Sequence, residues 1–305
     1  MKLSHSRAVL VMLLVTLLWS IAGVVSRHLE AARSFEVTFW RSAACALALL
    51  VILARQRGGL RALWRGIGEG GALMWWSGLC WSVMFTAFMM ALTLTTVANV
   101  LITMALAPLF TALISRVWLG HRLAPRTWVA IVVAGAGIAW MFGSQLSGEG
   151  APLLGTLVAL TVPIGGAIMW TLAQHNVRQH PDQRADMLLA VLIGAVISSL
   201  LTLPPAWPLQ GTLRDIGLLS MLGVVQLAIP CLLAVAAGKV LKAPEASLLG
   251  LLEIIFGVTW TWLGTAESPT PAVLGGGALV IGALAANEAL ALFGSRRLAA
   301  ATGPA

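Results

Sequence analysis

Long apolar runs separated by short polar breaks make up almost the whole chain. Each run is about 20 residues or longer, the length of helix that crosses the hydrocarbon core of a bilayer. Glycine, proline and charged residues mark the breaks, as at 55–59 and 180–182. The pattern predicts ten transmembrane spans, at about residues 8–26, 35–54, 70–91, 96–115, 125–142, 152–174, 185–203, 214–236, 245–264 and 271–293.

The composition agrees with a membrane protein. Hydrophobic residues occupy 59% of the 305 positions and charged residues only 10%, whereas soluble domains have about 45–50% and about 25%. Cys45, Cys80 and Cys231 lie inside apolar runs, without the spacing of a metal site or a disulfide framework, and we interpret them as packing residues. We therefore predict an all-α integral membrane protein that lies in the lipid bilayer and has no soluble domain.

The net charge of +8 is explained better by membrane topology than by a nucleic-acid partner, because the basic residues lie between the apolar runs. If the amino terminus is inside, four of the 19 Lys and Arg residues remain outside or within a span, and the other 15 are cytoplasmic. The four are Arg27, Arg33, Arg41 and Arg214. This bias over short loops predicts that both termini are cytoplasmic. No nucleic-acid partner is expected.

The two halves of the chain repeat each other weakly. A shift of 146 positions sets the stretch 95–121 on 241–267, so that Ala107 and Pro108 fall on Glu253 and Ile254. We therefore predict two five-span repeats, at 1–147 and 148–293, followed by a short cytoplasmic tail at 294–305. Because five is an odd number, the second repeat begins on the opposite side of the membrane and is inverted. Inverted repeats are frequent in secondary transporters, where two similar halves open a midplane site to either side in turn.

Several short motifs together resemble a known family. They are Trp19-Ser20, Phe39-Trp40-Arg41, Ala107-Pro108 and Leu119-Gly120 in the first half, and Ala246-Ser247-Leu248-Leu249 to Leu252-Glu253 in the second. Nearly the whole chain is similar to the EamA-type drug/metabolite transporter superfamily, and within it to ten-helix bacterial exporters of amino acids, including aromatic ones. The sequence departs from the family at Gly120-His121 and Ala266-Glu267, where Gly-Glu is usual, and at Ile254, where Pro is usual.

The resemblance implies a basket of ten helices in the cytoplasmic (inner) membrane of a bacterium. Spans 1, 3, 4, 6, 8 and 9 would line a central cavity, and spans 5 and 10 would stand behind them. Export by alternating access would follow from this arrangement. A monomer is compatible with it.

Polar side chains inside the spans are candidates for binding a small-molecule substrate, because polar groups in hydrocarbon usually face a partner or a water-filled cavity. Asn99 and Thr103 share one face of the fourth span, and Glu253 is the carboxylate well inside a span. Glu253 could bind a proton or a substrate ammonium group. Ser20 and Gln226 are further candidates. Each of these groups could instead form a structural hydrogen bond between helices.

Aromatic side chains deep in the spans could stack on planar substrates and attract ammonium groups. The candidates are Trp19, Trp76, Trp81, Phe85, Trp170 and Trp260. For each of them, lipid contact or helix packing is the alternative. We expect Arg41 near the outer interface, where it would snorkel to water or pair with Glu36.

Three prolines interrupt the backbone hydrogen bonding of spans and are candidate hinges: Pro108, Pro163 and Pro230. Broken helices in corresponding halves are typical of the substrate sites of transporters. A static kink is the alternative at each position.

These features favour a secondary exporter of small amphipathic metabolites, above all amino acids including aromatic ones. No Walker A sequence is present. An intramembrane enzyme is disfavoured because H-E-x-x-H and G-x-S-x-G are also absent, so we predict no catalytic residues, cofactor or metal. A lipid flippase, or an exporter of other drugs or metabolites, is the alternative. A cavity open sideways to lipid would favour the flippase.

Overall fold

The computed structural model describes residues 4–120, 124–146, 151–179, 187–238, 240–241, 246 and 249–301, and these residues contain no β-strand. The first half contains α1 (His5–Ser26), α2 (Phe35–Gln56), α3 (Leu60–Glu69), α4 (Gly71–Leu94), α5 (Val97–Met104), α6 (Ala107–Leu119) and α7 (Pro125–Leu146). The second half contains α8 (Ala151–Gln179), α9 (Met187–Ala206), α10 (Leu213–Met221), a π-helical segment (Leu222–Ala228), α11 (Ile229–Ala237), α12 (Leu252–Gly264) and α13 (Pro271–Ala301). The all-helical prediction is confirmed.

Within the described residues, six helical stretches are long and apolar enough to cross a membrane. They are His5–Ser26, Phe35–Gln56, Gly71–Leu94, Val97–Trp118, Met187–Ala206 and Leu213–Ala237. Four shorter apolar helices accompany them, at Pro125–Trp140, Leu153–Met169, Leu252–Gly264 and Pro271–Asn287. The structure is therefore that of a multi-pass membrane protein.

The fourth predicted span is two helices rather than one. α5 ends at Met104, a turn follows at Ala105 and Leu106, and α6 begins at Ala107 with Pro108 in its first turn. Pro108 has no N–H to donate to the carbonyl of Met104, so the α5 hydrogen-bond ladder cannot continue through it. In the second half a turn at Leu251 precedes α12, although no proline stands there. A shift of 146 positions lays Ala105 on Leu251, so both breaks fall at the same place in the two halves.

The eighth predicted span is also irregular. Between α10 and α11 the backbone widens into the π-helical segment, and Pro230 lies in the first turn of α11. Because Pro230 cannot donate to the carbonyl of Gln226, the backbone leaves the α-helical register just before the proline. In contrast, α8 continues through Pro163, and the predicted hinge there stays a prediction.

One helix lies where the sequence predicted a loop. α3 connects α2 to α4, and its apolar Leu63 and Ile67, four residues apart, are buried while Arg61 and Arg65 are exposed. This spacing gives the short helix an apolar face, which packs against the end of α2 and beside Met74 of α4. Its ten residues are too few to span a bilayer.

The helices pack in a layered bundle. α4 packs on α8 and α9, α2 packs on α9 and the π-helical segment, and α1 packs on α11 and α12. α7 and α13 pack mainly on each other, where small residues let the backbones approach closely. A Cβ atom added to Gly137 would lie 2.7 Å from the carbonyl oxygen of Gly276. This pair of helices thus stands beside the rest of the bundle.

Candidate functional site

Arg41 is buried between α2 and the π-helical segment. It is almost two turns into α2, and only 2% of the residue is exposed. Its Nε and Nη2 atoms donate to Oε1 of Gln226, at 3.1 and 2.9 Å. The expectation that Arg41 snorkels or pairs with Glu36 is wrong, because the guanidinium turns inward across the bundle to a partner 185 positions away.

Gln226 holds three elements together. It lies in the π-helical segment, accepts from Arg41 of α2, and donates from Nε2 to the backbone carbonyl of Trp19 in α1 at 3.1 Å. The π-helical segment and α2 also approach closely here, since a Cβ atom added to Gly223 would lie 2.4 Å from the carbonyl oxygen of Arg41. The predicted site residue Gln226 is therefore central, although its partners were not foreseen.

Two aromatic rings from α4 lie beside the guanidinium. The Cζ atom of Arg41 lies 5.9 Å from the ring centroid of Phe85 and 5.4 Å from that of Phe88, within the range of cation–π attraction. Trp81 packs on Phe85 with a centroid distance of 5.3 Å. Of the predicted aromatic residues, the structure thus brings Phe85 to the arginine and packs Trp81 on Phe85. It adds Phe88, which the sequence pattern did not indicate.

Several buried polar atoms in the described part of the chain have no hydrogen-bond partner. They are Thr38 Oγ1, Arg41 Nη1, Ser77 Oγ, Trp81 Nε1, Asn99 Oδ1 and Thr103 Oγ1. Unsatisfied buried polar groups are rare in native proteins because each one costs about 1–3 kcal/mol. Four of the six atoms belong to residues on two helices: Thr38 and Arg41 lie one turn apart on α2, and Ser77 and Trp81 lie two turns and one turn before Phe85 on α4. This concentration is the strongest geometric sign of a binding site.

Asn99 and Thr103 lie one turn apart on α5, as predicted, and are 2% and 0% exposed. The Nδ2 atom of Asn99 donates to Thr95 Oγ1 at 3.1 Å, while Oδ1 of Asn99 and the hydroxyl of Thr103 are unpaired. A structural hydrogen bond therefore uses only the donor half of the Asn99 amide. The acceptor half is left for another group.

Glu253 lies in the first turn of α12, deep in the bundle, yet its side chain keeps some accessible surface. A Cβ atom added to Gly257 would lie 3.4 Å from the Ser20 carbonyl oxygen, and one added to Gly264 would lie 2.8 Å from Val24. Later residues of α12 thus meet later residues of α1, so the two helices run parallel. Glu253 is one turn before Gly257. Its carboxylate has no hydrogen-bond partner among the described residues.

The remaining predicted site residues are spread out. Ser20 is buried, and its hydroxyl donates to the carbonyl of Leu17 within α1. Trp76 and Trp260 are 59% and 38% exposed, which suits contact with lipid as well as with a cavity, so their assignment stays a prediction. Trp170 belongs to α8, but its side chain lies outside the described part of the structure.

A second polar cluster closes the end of the bundle at which α1 ends and α2 begins. Arg27 donates from Nε to Glu267 Oε2 at 2.7 Å, and from Nη1 and Nη2 to the carbonyls of Leu92 and Thr95 at 2.6 and 2.7 Å. The other oxygen of Glu267 accepts from the backbone N–H of Val97 at 2.7 Å. We call Arg27 and Glu267 the end clamp, because the pair joins α1, α4, α5 and the residues after α12.

Two further carboxylates hold loops at the same end. Asp215 accepts from the backbone N–H groups of Glu30, Ala31 and Ala32 at 2.8 to 2.9 Å, and its own N–H is capped by Thr212. Glu36 accepts from the N–H groups of residues 210 and 211, both at 2.9 Å, and from the Trp40 indole at 3.2 Å. Sequence reasoning missed these roles, since backbone donors carry no sequence signal.

An apolar surface groove of about 270 Å³ lies between α5, α12 and α13. Its lining includes Ala98, Ile102, Val258 and Ile281, with Thr259 as a polar member and no charged residue among those that line it.

These observations define a class of protein: a multi-pass helical membrane protein with a charged and aromatic site between its helices. The sequence model of the EamA-like transporter family matches residues 6–143 and, a second time, residues 153–287. The chain therefore belongs to the EamA-like transporter family, and the suspected family is confirmed.

Individual relatives add detail. The pseudopaline exporters CntI of Pseudomonas aeruginosa strains UCBPP-PA14 and PAO1 are each 26% identical over 251 residues, which are 81% of this chain and 83% of the exporter. A solved crystal structure superposes with a TM-score of 0.57 over 94% of this chain and 98% of its own, at 21% identity. The last likeness supports the fold alone.

Proposed function

We propose that the protein is a secondary transporter that exports small amphipathic metabolites, above all amino acids including aromatic ones. The observation that carries the proposal is the group of unpaired buried polar atoms on α2 and α4, together with the Phe85 and Phe88 rings beside Arg41 and Trp81 packed on Phe85. A site of this kind offers an amphipathic molecule both polar contacts and an apolar surface. The relatives named as pseudopaline exporters support export of a small molecule.

The proposed architecture is ten spans in two inverted repeats, at 1–147 and 148–293. The six long and four shorter apolar helices support this number. The double match of the family model and the breaks at Ala105 and Leu251, which correspond under the shift of 146, support the repeat. From the bias of basic residues we infer cytoplasmic termini in a bacterial inner membrane. The end clamp then faces the outside.

Alternating access would proceed by rocking one half against the other. Arg41 and Gln226 belong to different halves, and so do Arg27 and Glu267. In this proposal the end clamp holds the outer side closed, so export requires its ion-pair and hydrogen bonds to break when the site opens outward. The breaks beside Pro108 and Pro230 are candidate hinges, because helix ends absorb changes of backbone angle with little loss of hydrogen bonding.

The protein acts in this proposal without catalysis, cofactor or metal. Within the described residues no group of His, Cys, Asp and Glu has the geometry of a metal site. Its partners are the substrate and the bilayer, and a monomer is sufficient because both halves of the site come from one chain.

Flux measurements in proteoliposomes test the function. Purified protein should give saturable transport of at least one labelled amino acid, and Asn99→Ala, Glu253→Gln and Trp170→Ala should each lower it. Thr93→Ala, Glu30→Gln and Trp262→Ala are matched controls at exposed or partly exposed positions and should transport normally. Absence of saturable flux for every metabolite tested would refute the exporter. Normal flux in all three test variants would refute the site assignment only.

Coupling to protons is tested in the same vesicles. If Glu253 exchanges a proton during the cycle, an imposed pH gradient should change the flux, and Glu253→Gln should remove that response. If the flux does not change with the pH gradient, proton coupling is refuted and a passive, downhill exporter is the alternative.

A further inference from the structure

Among the described residues, no carboxylate lies within ion-pair distance of the Arg41 guanidinium. Among the described residues its hydrogen-bond acceptor is the neutral amide of Gln226, and the ion pairs that the structure shows lie elsewhere. A charge buried in a membrane bundle without a counterion is strongly unfavourable. The two Phe rings offset part of that cost through cation–π attraction, but they supply no negative charge. In the described part of the chain, nothing therefore pairs the guanidinium directly with a negative charge.

The guanidinium has free donors in a defined direction. It carries five N–H groups, of which Nε–H and one on Nη2 are given to Gln226. Two N–H groups on Nη1 and one on Nη2 are left, and Nη1 is buried without a partner. These atoms form the end-on fork of the guanidinium, which matches the two oxygens of a carboxylate. Thr38, one turn earlier on the same face of α2, is buried with its hydroxyl unpaired as well.

The position of the fork suits a transported ligand. Arg41 belongs to the first half and Gln226 to the second, so the contact between them lies where a rocking motion would separate the halves. Glu253 of α12 lies inside the bundle and has no hydrogen-bond partner among the described residues. A molecule with a carboxylate for Arg41 and a cationic group for Glu253 would neutralise both charges.

We propose that Arg41 binds the carboxylate of the transported substrate through its free Nη1–Nη2 edge, which makes carboxylate-bearing metabolites the substrate class. The inference rests on the proposed function and names its substrate chemistry. Gln226 positions the guanidinium from the other side. Phe85 and Phe88 keep water from the ion pair, which strengthens it.

Ligand binding to the purified full-length protein tests this inference. The probes are L-phenylalanine, L-leucine and citrate, with L-phenylalaninamide and L-leucinamide as analogues in which the carboxylate is replaced by a neutral amide. A ligand that binds the folded state raises the melting temperature, and titration gives Kd. We expect at least one carboxylate probe to bind, and an amino acid that binds should do so at least about tenfold more tightly than its amide.

Two variants separate binding from folding. Arg41→Met should raise Kd for the carboxylate about 10- to 100-fold, the range expected for loss of a charge-assisted contact. Gln226→Glu places a carboxylate of the protein beside Arg41. The new ion pair offsets the lost hydrogen bond from Nε2 to the Trp19 carbonyl, so the unliganded protein should stay folded with a melting temperature near that of the wild type. The Kd for the carboxylate should rise to a similar degree as in Arg41→Met, because the built-in anion competes. Arg214→Met is the matched control, since Arg214 is exposed and paired with Glu30, and should bind normally.

The outcomes distinguish this inference from the proposed function. If no carboxylate probe binds, if amides bind as well as acids, or if Gln226→Glu binds with unchanged Kd, the role of Arg41 is overturned. Saturable flux of a neutral or cationic metabolite would then still support the exporter. Conversely, Arg41-dependent binding without any flux would support the carboxylate site and overturn transport.

Discussion

The end clamp makes a quantitative prediction about the conformational equilibrium. Glu267→Gln keeps the shape of the side chain but removes the charge that Arg27 and the Val97 N–H contact at 2.7 Å each. One glutamine oxygen can still accept one of these bonds, while the amide nitrogen faces the other donor. We therefore expect the closed state to lose one charge-assisted hydrogen bond and part of the ionic attraction.

The magnitude follows from the exposure of the pair. Hydrogen bonds to charged groups contribute about 1.5–3 kcal/mol, but the side chains of Arg27 and Glu267 are 25% and 17% exposed, so solvent screens part of this energy. Glu267→Gln should therefore destabilise the closed state by about 1–2 kcal/mol. This shifts the equilibrium about 5- to 30-fold towards the state that is open at this end.

Thiol labelling from outside measures the shift. In a variant without the three native cysteines, Ser20→Cys places a reporter in α1, below the clamp, where the residue is 1% exposed. The rate of its modification by a membrane-impermeant reagent should rise about 5- to 30-fold when Glu267→Gln is added. Glu30→Gln is the control, because Glu30 pairs with exposed Arg214 at the same end. An unchanged rate in Glu267→Gln, or an equal rise in Glu30→Gln, would refute the clamp.

Three further predictions concern the elements that hold the site. Gly223→Ala should lower the free energy of unfolding by about 1–3 kcal/mol, since its Cβ would lie 2.4 Å from a backbone oxygen of α2. Gly217→Ala is the control: its Cβ would have nothing within 4 Å, so the variant should be as stable as the wild type or more stable. Thermal melts measure both effects. Asp215→Asn should cost about 2–3 kcal/mol in the same melts, because three backbone amides lose a carboxylate. Pro230→Ala restores a donor for the Gln226 carbonyl, so it should raise the melting temperature and lower flux; unchanged flux would contradict a role for the π-helical segment.

The sequence predicted the helices well where hydrophobicity alone decides them. The spans expected at 8–26 and 35–54 correspond to α1 and α2 within a few residues at each end. Hydrophobicity does not reveal irregularities inside a span, because an apolar run has the same composition whether or not its helix is continuous. Pro108 and Pro230 were recognised as interruptions, but the proline alone did not show that one ends a helix and the other follows a π-helical segment.

The candidate site was only partly predictable for a related reason. Gln226, Trp81 and Phe85 were selected as polar or aromatic residues in spans, and the structure brings them together. Arg41 was assigned to the interface because it stands near the start of its span and has Glu36 five positions earlier. Glu36 instead faces the backbone of residues 210 and 211, and Arg41 faces Gln226. Contacts between distant segments depend on helix rotation, which the hydrophobic pattern of a buried helix does not define.

The charged groups elsewhere in the protein differ from Arg41 in a way that favours a ligand at Arg41. Asp215 is buried but accepts from several backbone N–H groups, and Arg27 at the same end has both a carboxylate and two carbonyls. The fold can therefore satisfy charged groups completely when their role is to hold loops and helix ends. Arg41 is more deeply placed than Arg27, yet it has one neutral acceptor and an unpaired Nη1. A charged group with unpaired hydrogen-bond donors is less stable in the interior than at the end of the bundle. A purely structural role for Arg41 does not explain why this cost is kept, whereas a bound carboxylate would remove it.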